Sequence, residues 1–393
     1  MRVLFVSHYG PSHVPWLVPL AWAAQLAGHD VRFAVQPQSA PTVREAGLIA
    51  VPIGDESVAR RPENMAGLGK KMTTRLPDRW SEKPELGDKE FAAALAQRLF
   101  TVADGVLDDL VAFARAWRPA LVVHDSASVA AVVAAGALGV PAVGHVHGMP
   151  GGMFVEKKED LLKGYVRLFE RFGLEPFVGR PVWIDPYPRS LRWKGPVTQR
   201  PMRFIPWSGS AEVPDWLEGG QAPRVCVTGG LTTSEMTAVL GPVIDALTGS
   251  GVEVVLALSG GQAAEVRGQG LLRDGVRVLE SFPLNALMPT CRAVVQHGGA
   301  GSTMIALAHG LPQLVLPASP IQQDWARRVT EAGAGLTVDL GGAGPDTAAL
   351  GEAVGALLET ASLRKEAGRL REEIESAPLP GELVGFLESI AGR

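Results

Sequence analysis

The chain carries only two cysteines, Cys226 and Cys291, in 393 residues. Both stand in apolar, strand-like runs, which suits small buried residues and excludes a disulfide framework or a cysteine metal cluster. A reducing, cytoplasmic setting is therefore the expectation. An excess of one charge is also missing: 37 basic against 41 acidic side chains leave a net charge of −4. A nucleic-acid-binding surface would normally be basic, so nucleic acid is not an expected partner. No apolar run reaches the length of a membrane span. The longest, 129–144, is broken by glycines and by Pro141. The apolar start Val3–Val6 is too short for a signal peptide, and no cleavage pattern follows it. G-x-G-x-x-G and G-x-x-x-x-G-K-[ST] occur nowhere, which removes the main sequence support for a nicotinamide dehydrogenase or a P-loop NTPase. What remains is a chain with 46% hydrophobic residues, enough for a sizeable core in two or three domains.

The stretch that organises the chain is Gln296-His297-Gly298-Gly299-Ala300-Gly301-Ser302-Thr303. The β-branched run Ala293-Val294-Val295 leads in as a buried strand, and a helical pattern follows to Gly310 and Pro312. Glycines on a strand-to-helix turn let backbone N–H groups approach a ligand, and the new helix adds unpaired donors that suit a phosphate. His297 can donate to a phosphate oxygen. The alternative is a tight turn whose glycines serve packing only.

Two α/β halves are expected. Strand Val3–Val6, a helix with apolar spacing at Leu17, Leu20, Ala24 and Leu26, and strand Val31–Val35 form a βαβ opening. Residues 54–89 are polar and read as a flap over a pocket, the alternative being a disordered insertion. A long helix from Phe91 to Trp117, strand Ala120–Asp125, helix Val129–Leu138 and strand Pro141–Gly144 follow, then a less regular stretch from Met153 to Pro206. Residues 208–223 read as a linker. The rhythm resumes with strands Arg224–Thr228, Val252–Leu258 and Val276–Leu279, helix Thr237–Leu247 and a helical tail Leu383–Ile390. The domains are thus 1–207, with 378–393 added to it, and 224–377.

His13 sits on the turn after the first strand, where a near-neutral pKa suits removal of a hydroxyl proton. Asp125, at the end of another strand, can hold its second nitrogen, the orienting logic of a triad without the serine. The competing reading is that His13 caps the helix or packs in the turn, and His8 on the same turn competes for the role. A metal cluster of His124, Asp125, His145 and His147 lacks helical ligand spacing, so no metal is assigned. His145 and His147 are expected instead to line an acceptor pocket, together with His8 and Met149. His309 reads as a helix C-terminal cation or an exposed residue.

The stretch 296–303 is similar to the nucleotide-sugar signature of bacterial natural-product glycosyltransferases of the two-domain GT-B fold, in the manner of glycosyltransferase family 1. The likeness continues through Leu311-Pro312-Gln313-Leu314-Val315-Leu316-Pro317, Gln322 and Ala326-Arg327-Arg328, and upstream through Phe282 to Cys291 and Pro201 to Ser210. It implies two Rossmann-like parallel-sheet domains facing each other across a cleft, with the tail returning to the first domain. It also implies a metal- and cofactor-independent inverting transfer from a dTDP-deoxysugar to a hydroxyl or aromatic carbon of a hydrophobic aglycone such as a polyketide. His13 and Asp125 take the base and orienting positions. Thr232, with Thr233, Phe282, His297, Gly299, Ala300, Gly301, Ser302 and Gln322 take donor-binding ones. Two departures stand out. Ser281 replaces a frequent Trp, and Ile321 replaces an acidic residue that reads sugar hydroxyls ahead of a helix expected near Ala326, with Asp324 as a substitute. A monomer or homodimer is expected, and an auxiliary activator protein is a partner that some relatives require. Two other readings share the phosphate motif: a nucleotide-sugar epimerase, and a non-catalytic nucleotide-sugar binding or helper protein.

Overall fold

The computed structural model describes residues 1–7, 10, 12–55, 89–147, 163–177, 182–193, 198–218, 223–230, 239–340 and 346–392. The expected flap at 54–89 falls almost wholly outside these residues, as do His8, Met149, Thr232 and Thr233. The chain divides into two compact units. One comprises residues 1–187, 192–203 and 377–393; the other comprises 188–191 and 204–376.

The first unit is built on a seven-stranded sheet, every pairing parallel, in the order β3-β2-β1-β4-β5-β6-β7. Its strands are β1 Arg2–Ser7, β2 Asp30–Val35, β3 Ala50–Pro52, β4 Leu121–Asp125, β5 Ala142–His145, β6 Val182–Asp185 and β7 Thr198–Pro201. The central strands β1 and β4 are buried almost end to end, as a sheet covered on both faces requires. Helices α1 Val14–Leu26, α2 Ala40–Glu45, α3 Lys89–Trp117, α4 Val129–Leu138 and α5 Lys163–Glu170 supply the cover. α4 is apolar on all sides because β4, α3 and α5 surround it. Leu17, Leu20 and Ala24 of α1 are buried as their spacing predicts, but Leu26, the last residue of that helix, is 89% exposed. The stretch 153–206 holds more regular structure than its composition suggests: α5, β6 and β7. Prolines and tryptophans obscure the alternation there, and β7 is tolerated as an edge strand ending on Pro201.

The second unit carries a six-stranded parallel sheet in the order β10-β9-β8-β11-β12-β13. Its strands are β8 Arg224–Thr228, β9 Glu253–Leu258, β10 Val276–Glu280, β11 Cys291–Gln296, β12 Gln313–Val315 and β13 Gly335–Thr337. Helices α6 Leu240–Thr248, α7 Gly260–Gly268, α8 Ala300–Ala308, α9 Pro320–Glu331, α10 Thr347–Glu359 and α11 Ala361–Glu375 belong to this unit. Both cysteines are buried and unbridged. The closing helix α12 Val384–Ala391 is part of the first unit.

Renumbered within each unit, both sheets run 3-2-1-4-5-6, the doubly wound order, with β7 as an extra edge strand in the first. In such a sheet the connections leave in opposite directions at one point, opening a crevice at the carboxyl ends of the two strands there. That point lies between β1 and β4 in the first unit and between β8 and β11 in the second. Among the described residues, no helix is long and apolar enough to cross a membrane.

Candidate active site and nucleotide site

The switch point of the first sheet collects the residues that could do chemistry. Val6 pairs with His124, so Ser7 and Asp125 follow side by side at the carboxyl edge. The chain turns after Ser7, and His13 takes the N-cap position of α1 without a side-chain capping bond. Its Nδ1 lies 3.4 Å from Asp125 Oδ2, within ion-pair reach, and Asp125 is wholly buried. Such bonds are often long before substrate arrives. Asp125 Oδ1 accepts from the Ala127 N–H at 2.8 Å and from Ser128 Oγ at 3.0 Å, and Oδ2 accepts from Ser7 Oγ at 2.6 Å. Donors to both carboxylate oxygens favour the charged form. With Nδ1 directed to the carboxylate, Nε2 is the second ring nitrogen of His13 able to exchange a proton.

Three further histidines surround the pair, and burial holds each below its ordinary value. His124 gives its Nδ1–H to the Asp125 carbonyl at 2.8 Å. His145 is pushed down to about 4, its Nδ1 facing the Val146 carbonyl and its buried Nε2 lacking a hydrogen-bond partner. His147 is lowered well below the usual range by burial and then by His13, whose ring centroid is 3.8 Å away. On its other side the His147 ring meets Trp16 edge-on at 5.0 Å. Among the described residues, no group of three or more His, Cys, Asp or Glu side chains is arranged to hold a metal ion.

The second unit's switch point places His297 directly after β11. Its ring is wedged between two glycines. A Cβ on Gly230 would come within 2.5 Å of Cε1, and one on Gly299 within 2.5 Å of Nε2. Gly298, at φ +92°, passes so close to α9 that a Cβ there would lie 2.6 Å from the Gln322 carbonyl oxygen. Gly299 is the N-cap of α8 and offers no side chain, so the first-turn N–H groups of Ala300, Gly301 and Ser302 have no partner within the helix. Burial pushes His297 down to about 4, the Thr228 carbonyl pulling the other way. Beneath the turn, buried Gln296 donates from Nε2 to Thr303 Oγ1 and to Gln313 Oε1, both at 3.0 Å, and its Oε1 accepts the Gly298 N–H. Gln296 and Gln313 stand within the resembling stretches, but only the fold reveals this shared network. Phe282 is half-buried and follows Ser281, which adopts a positive φ of 51°.

Three expectations are corrected here. α9 starts at Pro320, not near Ala326. Ile321 and Gln322 therefore lie in its first turn, where Gln322 Oε1 accepts from the Ala318 and Ser319 N–H groups at 2.7 and 3.0 Å. Asp324 does not reach outwards as a substitute for the missing acid. Its side chain is 2% exposed, with Oδ1 bound by Arg327 and Oδ2 by Arg328, both at 2.8 Å. His309 is not a C-terminal cation: burial and then Arg371 lower its pKa.

Sequence comparison decides the family. Residues 22–230 match the N-terminal domain, and residues 242–390 the C-terminal domain, of the family described as erythromycin biosynthesis protein CIII-like. The chain belongs to this family of bacterial natural-product glycosyltransferases. It is 35% identical to the aclacinomycin-T 2-deoxy-L-fucose transferase of Streptomyces galilaeus, over 100% of this chain and 97% of the relative. It is 34% identical to the tylactone mycaminosyltransferase of Streptomyces fradiae, over 99% of this chain and 92% of the relative. Among solved structures, the glycosyltransferase VinC in complex with dTDP superposes with a TM-score of 0.79 at 29% identity, over the whole of both chains. The two parallel-sheet units are those of a GT-B glycosyltransferase, and the protein is an enzyme of that class.

Proposed function

We propose that this glycosyltransferase moves a deoxysugar from a dTDP-sugar to a hydroxyl, or an aromatic carbon, of a hydrophobic natural-product aglycone in a single inverting step. The observation that carries the mechanism is His13 Nδ1 facing a buried, fully hydrogen-bonded Asp125. For a hydroxyl acceptor, the O–H proton passes to His13 Nε2 as the oxygen attacks the anomeric carbon. The bond from that carbon to the diphosphate breaks, and dTDP leaves with the electron pair. Asp125 stabilises the imidazolium that forms. His145 and His147 stand at the same sheet edge, on the acceptor side of this reading.

In the second unit the diphosphate is met by the N–H groups at the start of α8 and by His297. The bound negative charge favours the protonated ring, whose N–H then donates to a phosphate oxygen. Donors fixed in advance are worth on the order of 3 kcal/mol each in the transition state, which is the work a metal clamp would otherwise do. The relatives named 2-deoxy-L-fucose transferase and mycaminosyltransferase, and the dTDP bound to VinC, support this choice of donor.

The test is incubation with radiolabelled dTDP-sugars and a panel of polyketide aglycones, with and without EDTA. Label in the aglycone, unaffected by chelator, is the expected result. A new sugar nucleotide formed without acceptor would mean an epimerase. Tight dTDP binding with no turnover on any pair would mean a binding protein.

A further inference from the structure

Ser7, the last residue of β1, is completely buried, and its Oγ donates to Asp125 Oδ2 at 2.6 Å. This is the oxygen that His13 Nδ1 faces at 3.4 Å. A buried hydroxyl is unfavourable unless bonded, and a bond to an ionised carboxylate is among the stronger ones. Valine or alanine would fill the end of a buried strand without that requirement, so packing alone does not ask for serine here. The contact also has consequences for the base. Oδ1 is held by Ala127 and Ser128 from the loop after β4, whereas Oδ2 is held from the neighbouring strand. Ser7 ends β1 and His13 caps α1, so one end of each element meets the same carboxylate.

We propose that Ser7 is a positioning residue for glycosyl transfer: its hydroxyl fixes the Asp125 oxygen that orients His13 and moderates the pull of that oxygen on the His13 proton. This deepens the His13–Asp125 reading and rests on it. Among the described residues, the titratable groups around the pair are His124 on β4, His145 on β5, and His147, which follows β5 with its ring tilted against that of His13. Burial keeps all three neutral at pH 7, so Asp125 is the charge His13 feels from this cluster. Ser7 donates to that charge. Removing the donor leaves Oδ2 a stronger acceptor, which holds the protonated His13 more firmly and in a less defined direction.

Ser7→Thr and Ser7→Val test this directly, because the two side chains have nearly the same shape and differ in the hydroxyl. Histidine side-chain NMR on the ligand-free protein, with the His13 signal assigned from His13→Ala, gives a readout that needs no substrate. The His13 titration midpoint should move to higher pH in Ser7→Val and stay near wild type in Ser7→Thr. Turnover of dTDP-L-rhamnose with 4-methylumbelliferone as a phenolic probe acceptor gives the second readout. Ser7→Val should lose about tenfold in kcat, the worth of one hydrogen bond to a charged group, with acceptor KM and dTDP affinity unchanged. Its kcat/KM should also lose its acid limb at a higher pH, and Ser7→Thr should recover both. If the probe pair is not turned over, the pair found by the transfer assay replaces it. Equal titration midpoints and equal kcat in Ser7→Val and Ser7→Thr would overturn the role of Ser7 while leaving the base in place. Full activity in His13→Ala would overturn the base reading itself, and with it this inference.

Discussion

In the proposed mechanism His13 reacts and Asp125 orients it, and substitutions should separate the two roles. His13→Ala should lower turnover by about 10²–10⁴-fold, the usual worth of general-base catalysis, while dTDP affinity by calorimetry is unchanged. Asp125→Asn should cost as much or less, because the amide keeps the shape and loses the charge. Normal turnover in His13→Ala would move attention to His8. Asp185, at the end of β6, makes a different prediction. It is fully buried, and burial pushes its carboxyl up to about 6 against the opposing pulls of the Tyr187 N–H and Arg192. An unfolded Asp titrates near the ordinary carboxylate value, so between about pH 4 and 6 the native state binds more protons than the unfolded one. Stability should therefore fall as pH rises through this window, by about 2–3 kcal/mol in total. Asp185→Asn should remove that component and melt higher than wild type at pH 8, but not at pH 4. Thermal melts of both proteins across pH 4–8 would measure it, and parallel curves would refute it.

Among the elements, the first turn of α9 has the sharpest bearing on specificity. Gln322 already uses its carbonyl oxygen to cap its own helix, and Asp324 is tied to Arg327 and Arg328. Ile321 itself offers a sugar no acceptor, only an apolar side chain, in the place where an acid would read a hydroxyl. A sugar hydroxyl buried against Ile321 would lose its partner at a cost of roughly 1–3 kcal/mol. A deoxygenated or alkylated donor should therefore be preferred to dTDP-glucose by at least about tenfold in kcat/KM. Ile321→Asp should shift the ratio towards dTDP-glucose, and a wild type that favours dTDP-glucose would refute this account. The turn between β11 and α8 yields a second prediction. His297→Ala and Gly299→Val should each weaken dTDP binding, the first by losing a donor and the second by displacing the ring that a Cβ at 299 would strike. Calorimetry with dTDP decides it, and unchanged affinity in both would place the nucleotide elsewhere. Helix and strand positions were readable where an unbroken apolar run is bounded by breakers, as in β4, α4 and β8. The start of α9 was not, because its first turn, Pro320-Ile321-Gln322-Gln323, is fixed by capping bonds rather than by an apolar stripe. β6 and β7 were obscured by the prolines and aromatics around them.

For the molecule as a whole, the sequence indicated two α/β halves and placed His13, Asp125 and His297 at strand ends. It did not reveal the strand order that puts all three at switch points, since order depends on pairings between distant segments. Ser7 and Ser128 escaped notice for the same reason: a lone polar residue at a strand end has no local pattern to mark it. The tail gives the test at this scale. α12 buries Val384 and Leu387, Arg200 lies 4.6 Å from the Phe386 ring centroid, and His29 pairs with Glu388 at 3.0 Å, all within the first unit. Two buried apolar side chains contribute about 3–6 kcal/mol between them. A chain ending at Ser376 should therefore lose the folded first unit, seen as a lost calorimetric transition and rapid proteolysis of residues 1–187. The second unit should keep its own transition and bind dTDP within a few-fold of the intact protein. Loss of dTDP binding in the truncated chain would refute this division of labour.

The imidazole held between Gly230 and Gly299 also constrains how this sequence can drift. A methyl group at 299 is acceptable to the backbone there but not to the ring, so the obstacle to alanine lies at another position. In a library randomised at 297 and 299 together, alanine at 299 should be recovered mainly beside residues smaller than histidine. In the proposed mechanism those survivors would have exchanged a grip on the leaving group for room. Position 230 is restricted twice over, by its φ of +71° and by the same ring, and should remain glycine whatever stands at 297. A single histidine thus sets the substitution rule at 299 and adds to the one the backbone already imposes at 230.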